Sequence, residues 1–277
     1  MNTTARRLSY YFLCIFPVIA IGFAGPRVLR VAGEYQVIGG ALFVCISVAA
    51  WILGSRWIFS GGDSRRSLAL AATFLLVPLA LISLFWVGLA TPWDATPPEN
   101  VMRYYVLLAS SIAVATGFVI LRDTLSDAGE RFYSSLGFAL AVFAGAGYMV
   151  WNAFQVGFWE ATVHLTKAPP ELASMNVNFD ILLDTSCVLT YLSAAAFAAS
   201  LGKAGWLGRW PTRTYVSVNL IAVLLLWMRG STFPDPTALA TPWYTQPGFI
   251  VGIPAVPWLI PFLLGVVLLR RAGNEET

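Results

Sequence analysis

Charge is what this sequence has least of. Only 11% of its 277 residues are Asp, Glu, Lys or Arg, whereas a soluble domain carries roughly a quarter. Histidine is nearly absent: His164 stands alone, which excludes metal centres built from several imidazoles and bis-imidazole haem ligation. The three cysteines, Cys14, Cys45 and Cys187, each fall inside an apolar run with no CxxC spacing, so they read as small core residues rather than a disulfide framework or metal site. No run of Lys and Arg is present, and a net charge of +3 leaves no electrostatic footprint for nucleic acid. A phosphate-cradling glycine loop, a nucleophile elbow, a zinc-protease motif and an EF-hand are all missing. The apolar runs contain no lysine to form a retinal Schiff base.

What is abundant is apolar surface. Hydrophobic residues make up 58% of the chain, and the mean hydropathy is +0.72. Polar stretches are short connectors between apolar runs, with no room for a separate aqueous domain. The fold class expected is therefore all-α, a polytopic bundle of membrane-spanning helices. Runs near 20 residues bounded by charge, Gly or Pro give eight spans: Leu8–Ala24, Val37–Leu53, Leu68–Ala90, Tyr104–Leu121, Phe132–Phe154, Phe179–Leu201, Thr214–Met228 and Phe249–Leu269. The seventh is short and is expected to begin near Pro211, since proline suits a first helical turn.

Cations accumulate in cytoplasmic connectors, and here twelve of seventeen fall on one side. That side holds Arg6, Arg7, Arg56, Arg65, Arg66, Arg122, Arg131, Lys203, Arg209, Arg213, Arg270 and Arg271. Both termini are thus expected in the cytoplasm, the membrane being a bacterial plasma membrane. The opposite connectors carry Trp and Pro, as in Thr91-Pro92-Trp93 and Thr241-Pro242-Trp243, suited to headgroup depth. The first run could also be read as a signal peptide ending in Gly22-Phe23-Ala24, but the internal repeat needs it as a span.

Leu89-Ala90-Thr91-Pro92-Trp93 recurs as Leu239-Ala240-Thr241-Pro242-Trp243. Gly117 to Arg122 likewise parallels Gly265 to Arg270 at nearly the same offset. Four spans per half would give parallel repeats, Met1 to Glu130 and Arg131 to Thr277, within one membrane domain.

Ionisable and amide groups inside a membrane are costly, so each is a candidate for function. They concentrate around the fifth and sixth spans. Tyr148, Asn152, Gln155 and Trp159 share one helix face at the outer end of the fifth, and Glu160 with His164 forms an i, i+4 pair beyond. Asp180, Asp184, Cys187 and Tyr191 form a matching stripe on the sixth. One outer connector joins these helices, so the stripes should meet. The expected site is a polar pocket with Asp184 and Asp180 as acid/base candidates assisted by Glu160 and His164. Tyr148, Asn152, Gln155, Trp159, Tyr191, Trp93 and Trp243 would line it. A carboxylate-rich metal site from Glu160, Asp180 and Asp184 is the alternative; helix-dipole complementation by the two aspartates is the plainer one. No pattern names a cofactor.

Asn219 in the seventh span is expected to bond a neighbouring helix, and Pro254, Pro257 and Pro261 to break the last span and free carbonyls that need partners. Three functional readings follow: a protein that binds or transforms a lipophilic small molecule or lipid at the outer leaflet, a small permease, or a scaffold or sensor without substrate. The first predicts a pocket open on one side, the second a path between the halves, the third an Asp184 held against helix backbone with no cavity beside it.

Overall fold

The computed structural model describes residues 3–23, 32–88, 95–165, 170–230 and 242–274. Among them every regular element is helical. In chain order these are α1 (Thr3–Phe23), α2 (Ala32–Ala50), a π turn over Trp51–Ser55, α3 (Trp57–Ser60), α4 (Asp63–Gly88), α5 (Pro97–Asp127), α6 (Phe132–Leu165), α7 (Pro170–Lys203), α8 (Arg209–Arg229), α9 (Thr245–Val251), a 3-10 turn over Val256–Trp258, and α10 (Leu259–Asn274). The expected all-α membrane bundle is what forms, because in hydrocarbon a helix is the element that satisfies its backbone internally.

Six helical segments are long and apolar enough to cross a membrane: Asp63–Ser83, Pro97–Asp127, Phe132–Leu165, Pro170–Lys203, Arg209–Arg229 and Val256–Asn274. The first two expected spans fall on α1 and on the shorter apolar helix Gly39–Ser55. Helix ends differ most from expectation where they are polar. At α5 the Thr96 N–H donates to the Glu99 carboxylate at 2.7 Å in a capping box, with proline in the first turn, so the helix starts seven residues before the apolar run. Hydropathy detects the bilayer, not the helix.

Neighbours in sequence pack as neighbours in space, α4 on α5, α5 on α6, α6 on α7 and α7 on α8, while α10 returns to lie chiefly against α4. Small residues such as Gly137 and Gly145 permit the closest approaches. A Cβ on Gly147 would come within 2.2 Å of Ser186 Oγ, so α6 and α7 touch almost backbone to backbone. Lower on the same interface Ser193 Oγ donates to the Gly137 carbonyl at 2.8 Å, and Phe197 stacks on Phe118 of α5 at 4.6 Å. The helix α8 is peripheral: Trp210, Ile221, Leu224 and Trp227 are exposed. Its buried Asn219 donates to Tyr215 of its own helix at 2.7 Å, not to a neighbour as expected.

Both ends of the described chain meet at one face of the bundle, where Arg6 donates to the Asn274 side chain at 2.8 Å. The cations of that face lie on aromatic rings: Arg270 on Tyr10, Arg271 on Trp206, Arg56 and Arg65 on Trp57.

Candidate functional site

The site sits at the other end of the bundle, and helix length sets its depth. The 34-residue helices α6 and α7 are each about 50 Å long at 1.5 Å per residue, against a hydrocarbon core of about 30 Å. Counted up from Arg131 and Lys203, Asn152 and Asp184 fall near the far edge of that core, and residues beyond them project past it.

Glu160 and His164 engage each other and not the two aspartates. They pair at 3.6 Å on the projecting end of α6, with His164 76% exposed, and no three His, Cys, Asp or Glu side chains gather among the described residues. The Glu160, Asp180 and Asp184 metal site is not assembled. Trp93 lies outside the described residues, and Trp243 is exposed, edge-on to Tyr244.

The remaining expected residues are brought together. Trp151 Nε1 donates to Asp180 at 3.2 Å and meets Tyr104 of α5 edge-on at 5.5 Å, while Gln155 donates to Asn176 at 2.7 Å. Phe154 and Phe179 stack at 4.0 Å across the same α6–α7 seam. Asn152 is fully buried, donates to the Tyr148 carbonyl at 2.9 Å, and its Oδ1 receives no hydrogen bond. Trp159 Nε1 is likewise buried without an acceptor.

Below Asp184 the polar stripe has a structural task. The last span breaks between α9 and α10 around Pro254 and Pro257, which lack N–H donors, and three of the freed carbonyls are met by α6 and α7. Tyr191 donates to Val251 at 2.9 Å, Tyr148 to Pro254 at 3.1 Å, and the Cys187 thiol approaches Gly252 at 3.8 Å. Tyr148 and Tyr191, expected to line a pocket, thus fasten the broken helix. Cys187 is the buried small residue expected, whereas Cys14 is partly buried and Cys45 faces outward.

Sequence reasoning missed Arg229. It ends α8, 6% exposed, and its guanidinium reaches Asp184 Oδ1 at 3.8 Å; the carboxylate is 22% exposed and that oxygen receives no hydrogen bond. Glycines make the room: a Cβ on Gly248 would meet Arg229 Cβ at 2.7 Å, and one on Gly252 would meet Nη1 at 3.1 Å. The signal was present, since Asp184 and Arg229 are charges at the same end of helices adjacent in sequence. A second buried cation, Arg103, lies on α5 beside the fully buried Asn100, which accepts from it. Asn100 and Arg103, one turn apart at the edge of the fourth span, were passed over as connector residues.

No protein-family model, curated protein or solved structure matches this chain.

Proposed function

We propose that this multi-pass membrane protein binds, and acts upon, a lipophilic molecule whose polar head reaches the Asp184–Arg229 pair at the seam where α8 packs on α7 and α9. The observation that carries this reading is the Asp184 Oδ1 oxygen. A carboxylate oxygen at the edge of the hydrocarbon normally accepts hydrogen bonds, since desolvated charge is expensive. This one lies 3.8 Å from the Arg229 guanidinium and accepts no hydrogen bond, a position that a donor group of a bound molecule would fill. Asn152 Oδ1 on α6 adds a buried acceptor that receives no hydrogen bond. With the termini in the cytoplasm, as the cation count favours, the seam faces the outer leaflet.

Asp184 and Asp180 differ as chemical groups in this arrangement. Asp180 is engaged by Trp151, so Asp184 is the carboxylate available to a substrate proton or hydroxyl. Native mass spectrometry with lipid extraction of the wild-type protein, Asp184→Asn and Arg229→Gln provides the test. A lipophilic molecule retained by the wild type and lost from both variants supports the reading and gives its class. Equal retention in all three, or none in any, overturns it and favours a permease or scaffold.

A further inference from the structure

At the opposite end of the bundle, where α1 begins and α10 ends, lies a cavity of about 360 Å3. Arg6, Arg7 and Arg270 line it with Tyr10, Tyr11 and Asn274, and no Asp or Glu among the described residues does. We propose that this cavity is a binding site for the phosphate of an anionic phospholipid, separate from the Asp184 seam.

The cavity is built from close packing. Gly273 is buried so tightly that a Cβ there would come within 2.3 Å of both Arg6 Nη2 and the Leu53 carbonyl, which brings α10, the π turn and α1 into one wall. Arg6 Nη2 donates to Asn274 at 2.8 Å and to the Arg270 carbonyl at 3.4 Å, which fixes the guanidinium and leaves its other nitrogens for a ligand. The Arg270 guanidinium lies 4.5 Å above the Tyr10 ring, held in place with its edge still able to donate. Three arginines line one concavity, and a phosphate offers oxygen acceptors that match their planar donors.

The phosphate belongs to a lipid because of what lies beneath it. Leu8, Tyr11, Ile15 and Val18 recur at helical spacing along α1, and each is more than half exposed. This stripe runs from the cavity mouth into the depth of the bilayer, and Tyr11 belongs to both surfaces. A headgroup in the cavity therefore leaves its acyl chains along an unoccupied apolar face. A free phosphate uses only half of the arrangement.

The test uses the full chain in nanodiscs or detergent. Native mass spectrometry counts retained phosphatidylglycerol against phosphatidylcholine for the wild type, Arg7→Gln, Arg270→Gln and Arg66→Gln, the last an exposed cation outside the cavity. The expected result is preferential retention of phosphatidylglycerol, weakened about fivefold by each cavity substitution, unchanged by Arg66→Gln and reduced by salt. Arg270→Lys restores charge without the planar fork and is expected to recover part of the loss. In a parallel arm inorganic phosphate is titrated against thermal unfolding in lipid-free detergent. Stabilisation by phosphate that depends on Arg270, without selective lipid retention, would overturn the lipid assignment and make the ligand a soluble phosphate. Equal lipid retention by Arg66→Gln and the cavity variants, with no phosphate effect, would overturn the site altogether. Phosphatidylglycerol retention lost in Arg270→Gln but unchanged in Asp184→Asn separates this site from the seam.

Discussion

Glu130, between α5 and α6, shows how one carboxylate can start a helix. It accepts from the Tyr133 N–H at 3.0 Å, the Ser134 N–H at 3.1 Å and the Ser200 hydroxyl of α7. Burial pushes its carboxyl up, but these hydrogen bonds outweigh burial and hold it below the ordinary carboxylate range. A folded value below the unfolded one means that the stabilisation is complete above the ordinary carboxylate range and disappears as pH falls through the folded value. Glu130→Ala is expected to cost about 1 kcal/mol near neutral pH, the usual loss for an N-terminal cap. The gap between variant and wild type should close as pH falls below the ordinary carboxylate range, followed by thermal unfolding in detergent. A gap constant with pH would show that the carboxylate's charge contributes nothing. The buried Asp184–Arg229 pair belongs to a different regime, because breaking it strands a charge; Arg229→Met alone is expected to destabilise more than the double variant with Asp184→Leu, read by the same unfolding assay.

Between helices, the α6–α7 contact and the broken last span make separate claims. Gly147→Ala drives a methyl against Ser186 Oγ, whose hydroxyl donates to the Leu182 carbonyl at 2.6 Å, so it can move only by giving up that bond. A loss of about 1–2 kcal/mol is expected, largely cancelled in Gly147→Ala with Ser186→Ala; failure of the second change to compensate would place the strain elsewhere. At the break, Tyr191→Phe leaves the Val251 carbonyl without its donor, and Tyr148→Phe does the same at Pro254. Each is expected to cost about 1–3 kcal/mol and to speed amide exchange across residues 252–259 without altering exchange in α4. The three prolines made the break legible in the sequence. Its fasteners were not, since a tyrosine lining a pocket and a tyrosine holding a carbonyl look alike until the partner's backbone is placed.

For the molecule as a whole, the Arg6–Asn274 contact constrains topology. Chain ends that touch are expected on one side of the membrane, which would make the number of crossings even. Leu53 reaches the same face through Gly273, so the stretch from α1 to the π turn leaves that face and returns to it. The six apolar segments and this outward-and-return pair are thus compatible with six crossings or eight, and with no odd number. Reporter fusions at the two ends are expected to read the same compartment, the cytoplasm if the cation count decides orientation; opposite readings would contradict the packing of α1 on α10.

Solvent chemistry is legible in one dimension. Low charge, runs near 20 apolar residues and clustered cations determine that this chain lives in a bilayer as helices, because each residue's transfer energy adds along the chain without knowledge of its neighbours. The polar stripes on α6 and α7 were visible for the same reason. Which of those groups meet each other was decided only by the tertiary structure. Hydrogen bonds and ion pairs depend on distances of a few ångströms between residues far apart in sequence: Asp184 with Arg229, Tyr191 with Val251, Arg6 with Asn274. Glu160 and His164 were drawn into a pair of their own, and close glycine packing put Arg229 beside Asp184.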